Sequence, residues 1–445
     1  MTNSVPFRAF QSIPPMPYPP NIGLPEYTGW KDEQWAWKNT VYIGDWSFVP
    51  QIRVTGPDAL RLFSDLSINS FENFPVGKGK HCVQCTEDGK VITEGVLIRH
   101  GEQDLEYDCG VPQWTLFNLA TGGYDAKASF PSTHKLQVSG PNALALCEDL
   151  AGTNLRDVKF MNTKRGTIAG RDVVFLRQGM AGEIGFELHG PIEQHDEIYN
   201  AVVAAGQEYG IRRLGWRWIQ INHLESWYPT ASVHYISALA DNRNSAYVKF
   251  MDENLPEEWV GTAMEGPLRY AFGATFTGSW GGPDIEGLYR SPVELGWTKS
   301  IAFDHDFMGR AALEAEVAAP RRVGVTLEFN SDDLIEIYAS MFRDGDVYHL
   351  FEIPHPPFAS NWVDSILKDG KEIGHATHPG YSYTYRKALA VSFVDAEFAE
   401  PGTEVTVLWG NPGEPQCQIR ATVARKPYKQ DDRRRDLTAM AGTVR

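Results

Sequence analysis

Apolar and polar residues alternate from Ile52 to Thr55 and again from Leu136 to Ser139, and each alternation runs through a Gly-Pro pair into a stretch with helical spacing. Ile52 to Leu66 reads I-R-V-T-G-P-D-A-L-R-L-F-S-D-L, and Leu136 to Leu150 reads L-Q-V-S-G-P-N-A-L-A-L-C-E-D-L. Period two predicts a strand with one buried face; apolar residues three apart, Leu60 with Phe63 and Leu144 with Cys147, predict an amphipathic helix packed on it. Two copies imply two related α+β halves that pack together with a cleft between them. Between the copies, E-D-G-K-V-I-T-E-G-V-L-I-R predicts a turn and two strands that carry Glu94, and beyond the second copy a helix is expected from Gln194 to Tyr209. From Arg321 the pattern is β throughout, in R-V-G-V-T-L-E-F, A-L-A-V-S-F-V and T-E-V-T-V-L-W separated by Gly and Pro turns. The chain is therefore expected to divide into an α+β body over 1–320 and an antiparallel β domain over 321–445.

The stretches without period are as informative. P-P-M-P-Y-P-P near the N-terminus cannot be helical and predicts an extended arm over the body, which makes Tyr18 a candidate pocket hydroxyl. A helical pattern follows from Lys31, with Trp35 and Lys38 three apart and Gly44 as its stop. Ala231 to Gly287 predicts an irregular insertion of lid character, and the charged tail after Pro427, with D-D-R-R-R-D, a mobile end.

One segment concentrates candidate chemistry. Arg177 to Pro191 reads R-Q-G-M-A-G-E-I-G-F-E-L-H-G-P. Gly179, Gly182 and Gly185 let backbone approach a flat ligand or take positive φ. In the strand that follows, Phe186 and Leu188 share one face and Glu187 takes the other. A carboxylate so placed accepts two parallel N–H bonds from an amidine-like heterocycle edge such as a pterin's, or else it simply faces water. Further on, L-G-W-R-W-I-Q-I-N-H-L-E-S-W-Y-P sets Trp216, Trp218, Trp227 and Tyr228 close together, a density that belongs to a core; the closing Trp-Tyr-Pro favours one ring stacked on a planar ligand.

Composition narrows the class. In 445 residues, 57 Asp and Glu outweigh 41 Lys and Arg, so neither nucleic acid nor an anionic membrane is the expected partner. The sequence shows no apolar run of membrane-spanning length and no basic-then-apolar start, which points to a cytoplasmic protein. Cys82 and Cys85 form a CxxC in a strand, where positions three apart face opposite sides, and no second pair completes a metal site; no metal is expected.

These segments resemble the glycine-cleavage T-protein (aminomethyltransferase) superfamily over nearly the whole chain. The matching residues are I-R-V-T-G-P-D-A-L, E-D-G-K-V-I, G-M-A-G-E-I-G-F-E-L, L-G-W-R with Leu224-Glu225, S-P-V-E-L-G-W, D-F-M-G-R-A-A-L, G-K-E-I-G-H-A-T and P-G-T-E-V-T-V. Within it, E-Q-W-A-W, T-G-G-Y, L-E-S-W-Y-P, F-D-H-D-F-M-G-R, I-Y-A-S-M-F, G-Y-S-Y and V-T-V-L-W-G are similar to the tetrahydrofolate-dependent O-demethylases of vanillate and syringate. The resemblance implies a three-domain ring with a barrel-like C-terminal domain, folate in a central channel, and methyl transfer to tetrahydrofolate from a lignin-type methoxyarene. It places Glu187 as the pterin-binding glutamate, Gln137 as a second folate ligand, Tyr228, next to Trp227, at a ring-stacking position, and Tyr18 in the substrate pocket.

The departures fall where substrate would sit. After Asp45 the demethylases carry a Gln and a His pair, whereas this chain runs Trp46, Ser47, Phe48, Val49; their carboxylate-anchoring Arg falls near Asp108 to Gly110, where this chain has no basic residue; their pocket Tyr falls at Ile219 or Trp218. A neutral or larger methoxyarene suits such a pocket. Breaking an aryl ether requires a proton donor for the leaving oxygen, for which Tyr18 is the first candidate and His223 the second, with Glu94 as a candidate for the amine proton. Competing readings are a sulfonium or betaine demethylase, with Trp46, Trp218 and Asp108 supplying cation contacts; a folate-binding protein without transfer activity; and a folate-independent lyase that releases formaldehyde. Oligomeric state is not legible.

Overall fold

A computed structural model describes residues 23–179, 182–240, 244–255, 275–282, 284–353, 360–438 and 440. The two sequence copies take the same local structure. Strand Gln51–Thr55 lies in a five-stranded sheet between Asp104–Cys109 and Lys127–Ser129, and strand Thr133–Ser139 lies in a six-stranded sheet between Val41–Asp45 and Gly185–Pro191. Each ends at a glycine of left-region φ, 135° at Gly56 and 130° at Gly140. A side chain would collide in both places, 2.7 Å from Asp125 O in the first and 2.7 Å from Thr40 O in the second. The turns then enter helices Ala59–Leu66 and Ala143–Ala151, whose apolar faces cover Ile52 and Val54 in one core and Leu136, Val138, Phe186 and Leu188 in the other.

The third body is a barrel. Strands Ser360–Lys368, Lys371–Ser382, Lys387–Asp395, Arg322–Phe329, Cys417–Ala424 and Glu404–Trp409 pair antiparallel in that order, and the last closes on the first through Ile366 with Val407 and Leu367 with Thr406. Closure removes the exposed edges that an open sheet would present. Thr275–Thr277 joins this sheet parallel to Ser360–Lys368, so it draws one short strand from before residue 321. A central apolar cluster joins the bodies, with Trp37, Tyr42, Trp46, Trp218 and Ile219 packed with Leu389, Val391 and Phe393 of the barrel. Among the described residues no helix is long and apolar enough to cross a membrane.

Several expectations change. The first helix is Trp30–Asn39, and Gly44 does not stop it but sits in strand Val41–Asp45, where a Cβ would lie 2.2 Å from the Trp46 ring. The segment from Ala231 is not a loose lid at its start: Val233, Tyr235, Ile236 and Leu239 are buried, and helix Ser245–Asn254 follows. The charged tail is docked rather than free. Lys429 and Leu437 are buried, Lys429 N donates to Glu225 O (2.9 Å), and Asp432 N donates to Gly182 O (2.8 Å). Cys82 faces the core of the first half and Cys85 the central cluster, so the two thiols do point apart; burial pushes the Cys82 thiol up to about 12.

Candidate functional site

Alternation along Gly185–Pro191 sends Phe186 and Leu188 into the second core and turns Glu187 to the opposite face, where it is buried rather than wet. Its register partner on the neighbouring strand is Gln137. Gln178 Nε2 donates to Glu187 Oε1 (3.0 Å), Gln137 Nε2 donates to Gln178 O (2.8 Å), and His189 Nε2 lies 3.1 Å from Glu187 Oε2. Gln178 O can only accept, so it fixes the Gln137 amide with its oxygen turned away, and that Oε1 is buried without a hydrogen-bond partner among the described residues. Each Glu187 oxygen keeps a lone pair. The patch thus presents acceptors without matching donors, which suits a ligand edge rich in N–H groups.

The glycines of the preceding loop serve the protein itself. Gly182 takes φ 73°, and a Cβ there would meet Lys429 Cε at 2.6 Å; one on Gly185 would meet Gln137 Nε2 at 2.9 Å. Their first task is to admit the tail and the Gln137 amide, not a flat ligand directly.

A second polar cluster gathers around Glu94, on strand Val91–Gly101. His81 Nε2 lies 3.0 Å from Glu94 Oε2, and the Tyr228 hydroxyl donates to the same oxygen at 3.2 Å. Trp297 stands edge-on to His81, with ring centres 5.0 Å apart, and meets Tyr235 at 6.3 Å. Burial, and then the Glu94 charge, hold both Tyr228 and Tyr235 well above the ordinary tyrosine range, so both keep their protons. The Tyr235 hydroxyl is buried with no hydrogen-bond partner among the described residues, which makes it a candidate proton donor. Sequence reading missed it, because nothing in A-S-V-H-Y-I marks a site.

The remaining candidates are dispersed. Tyr18 lies outside the described residues. His223 is not a proton store: burial lowers it to about 3, and Nδ1 lies 2.7 Å from Thr230 Oγ1. With the Thr230 hydroxyl donated to Tyr228 O (3.2 Å), the ring proton sits on Nδ1, leaving Nε2 a bare acceptor. Trp227 caps helix Trp216–Ser226, lies under the Lys426 ammonium at 4.6 Å, and packs towards Gly324 and Phe393 of the barrel, away from the Glu187 patch. Trp218 and Ile219 are central core, not pocket wall. Trp46 N donates to Lys135 O, its ring lies over Gly44, and Val49 closes a turn back to Trp46 O (2.9 Å); Phe48 is half-buried.

Asp108 also differs from expectation, because a cation is present beside it in space though not in sequence. Lys135 Nζ lies 3.0 Å from Asp108 Oδ1 and donates to Val49 O (2.7 Å). Ligating atoms of Glu106, Asp108 and His189 lie within 4.8 Å of one another, a spacing that resembles a cation site. The Lys135 ammonium is the cation there.

Comparison with known proteins bears on the family and the fold. The GCVT N-terminal domain model matches residues 14–237, and the glycine cleavage T-protein C-terminal barrel domain model matches 351–429. A syringate O-demethylase of Sphingobium sp. is 34% identical, over 96% of this chain and 94% of its own. A sesamin methylene transferase of Sinomonas sp. is 35% identical, over 91% and 89%. An aminomethyltransferase of Lysinibacillus sphaericus is 27% identical, over 86% of both. The solved aminomethyltransferase T of Bartonella henselae superposes with a TM-score of 0.63 at 15% identity, covering 90% of this chain and 89% of that one, which speaks to the fold alone. With two family models in order along the chain and full-length relatives above 30% identity, the chain belongs to the glycine-cleavage T-protein family, as an enzyme of one-carbon transfer.

Proposed function

We propose that this enzyme moves a methyl group from a neutral methoxylated aromatic to tetrahydrofolate, giving a phenol and 5-methyltetrahydrofolate. The observation that carries the folate half is the buried acceptor pair, Glu187 with the unpartnered Gln137 Oε1. That pair fits the N–H edge of a pterin, and Glu187 and Gln137 are the residues that would hold it. When bound, tetrahydrofolate supplies the secondary amine that accepts the carbon.

The chain's own groups supply positioning and proton control. Glu94, fixed by His81 and Tyr228, offers a carboxylate for the proton that the amine must lose. Tyr235 keeps its proton to share with the ether oxygen as the carbon leaves, since a phenolate is a poor leaving group unless hydrogen-bonded. Lys135 is engaged by Asp108 and Val49 O, so it is not free to anchor a substrate carboxylate, which favours a neutral donor.

A second reading is methylene transfer from a methylenedioxy ring, favoured by the relative of that activity at 35% identity. One experiment separates the two: incubate the protein with tetrahydrofolate and a panel of neutral methoxyphenols, methoxybenzoates, dimeric methoxyarenes, a methylenedioxyarene and a sulfonium compound, then identify the folate product by mass spectrometry. 5-Methyltetrahydrofolate with neutral arenes supports the first reading, and methylenetetrahydrofolate from the methylenedioxyarene the second. The sulfonium as sole donor, or loss of substrate without folate, defeats both.

A further inference from the structure

The motif that marks Glu187 continues one turn of the pleat further, to His189, on the same face of the same strand. His189 is buried, and its Nε2 lies 3.1 Å from Glu187 Oε2. Its register partner across the sheet is Lys135, and on its third side the neighbouring residue is Val174. The other half of the molecule approaches from strand Asp104–Cys109 with Asp108 and Glu106. Residues that face the ring are therefore Glu187 on its own strand, Lys135 on the next, and Asp108 and Glu106 from the opposing sheet, with His134 on the other face of the sheet acting through its charge alone; Arg53 and His100 pair with Glu106 from behind, at 3.9 and 3.7 Å.

Charge balance decides what His189 is. Glu187 and Asp108 are both buried, and Lys135 is the ammonium within reach of Asp108. Buried carboxylates stay ionised only when paired. With Glu106 paired from behind by Arg53, a neutral His189 would leave Glu187 and Asp108 one positive charge short, and an imidazolium supplies it.

We propose that His189 is a positioning residue, an imidazolium hydrogen-bonded to Glu187 with the Asp108 carboxylate within 4.8 Å, which fixes Glu187 and turns its two remaining lone pairs toward the ligand. Its role rests on the folate reading above, but its charge state does not. Burial alone would lower the imidazole; the Glu187 hydrogen bond and the Asp108 charge outweigh it and raise the group above its ordinary value. A raised value means that the pairing is complete on the acid side and is lost as pH rises through the His189 titration. Ligand affinity should fall with it.

Two measurements test this. The first is the His189 imidazole titration followed by NMR in the unliganded protein, wild type against Glu187→Gln. The expected result is a midpoint above about 6.5 in wild type that moves down in the variant; a wild-type midpoint below that value, or one indifferent to Glu187, overturns the pairing whatever the ligand. The second is calorimetric titration with 5-methyltetrahydrofolate across the same pH range, wild type against His189→Gln and, in case that variant folds poorly, Asp108→Asn. Wild-type affinity should fall about tenfold as His189 loses its proton, roughly 1.4 kcal/mol, and His189→Gln should be weaker at low pH with no such fall. Identical pH profiles in wild type and His189→Gln overturn the positioning role. No binding by wild type at any pH sinks the folate reading and with it that role, while the first measurement still decides the pairing.

Discussion

The two halves repeat one strand, one turn and one helix, yet they use the polar face of that strand differently. In the copies, Arg53 stands where Gln137 stands and Gln51 where Lys135 stands. Arg53 reaches outward, partly exposed, and makes a fork to Asp104 at 2.7 and 2.6 Å. Gln137 is fully buried and leaves its oxygen unpaired. What the halves share, the alternating apolar residues and the Gly-Pro turn, makes the fold; what they do not share is the polar face where the proposed site lies. A duplicated element can thus keep its packing while one copy closes its polar groups on the protein and the other leaves a buried acceptor open.

The largest expected effect tests the shared part. Gly56→Ala and Gly140→Ala each force a Cβ into backbone at 2.7 Å with left-region φ, so each should cost about 3 kcal/mol, seen as comparable losses in urea midpoint. If only one variant is destabilised, the turns are not equivalent. The unshared part comes next. Glu187→Ala should weaken tetrahydrofolate binding by about 10- to 100-fold, the loss of a charge-assisted contact of about 1.5 to 3 kcal/mol; equal calorimetric affinities would remove the glutamate from its role. Smaller again, Gln137→Ala should cost about 1 kcal/mol of binding, whereas Arg53→Ala should leave folate affinity within about twofold, because an exposed ion pair contributes little. Equal losses in those two variants would collapse the distinction between the halves.

An effect of about the same size as the Gln137 loss is one of pH and belongs to the second half alone. His195 Nε2 lies 2.8 Å from Asp45 Oδ2, and that bond, over the opposing effect of burial, raises His195 to about 9. The stabilisation is complete below about 6.5 and lost as pH rises through about 9. Discounted for partial exposure, it should amount to about 1 kcal/mol, read as a drop in urea midpoint between pH 6 and pH 10 that is absent in His195→Asn.

Local pattern made much of this legible. Period two assigned Phe186 and Leu188 to the core and Glu187 to the other face, and it sent Cys82 and Cys85 to different cores. Sequence failed where the third dimension supplies the partner. Helix Trp216–Ser226 is buried on nearly all sides, so it carries no amphipathic stripe to separate Trp218 and Ile219, which are core, from a pocket wall. Trp227 turns to the barrel because its φ of 52° reverses the chain there. The cation beside Asp108 comes from another sheet, so inspection of Asp108 to Gly110 could not find it. His189 looks like an ordinary strand-end histidine until Asp108 and Lys135 are set around it.

The docked tail ties the site to the order in which the chain is made. Lys429 Nζ lies 3.3 Å from Glu183 Oε1, a contact that spans 246 positions of sequence. A ribosome releases the glycine loop long before the segment that backs it, and a contact so distant along the chain closes late. Both halves can fold around their own cores in that interval, with the binding face still unfinished. Completion of that contact is therefore expected only when the chain is nearly finished, and a protein stalled short of residue 429 would lack the segment that backs Gly182 and Glu183.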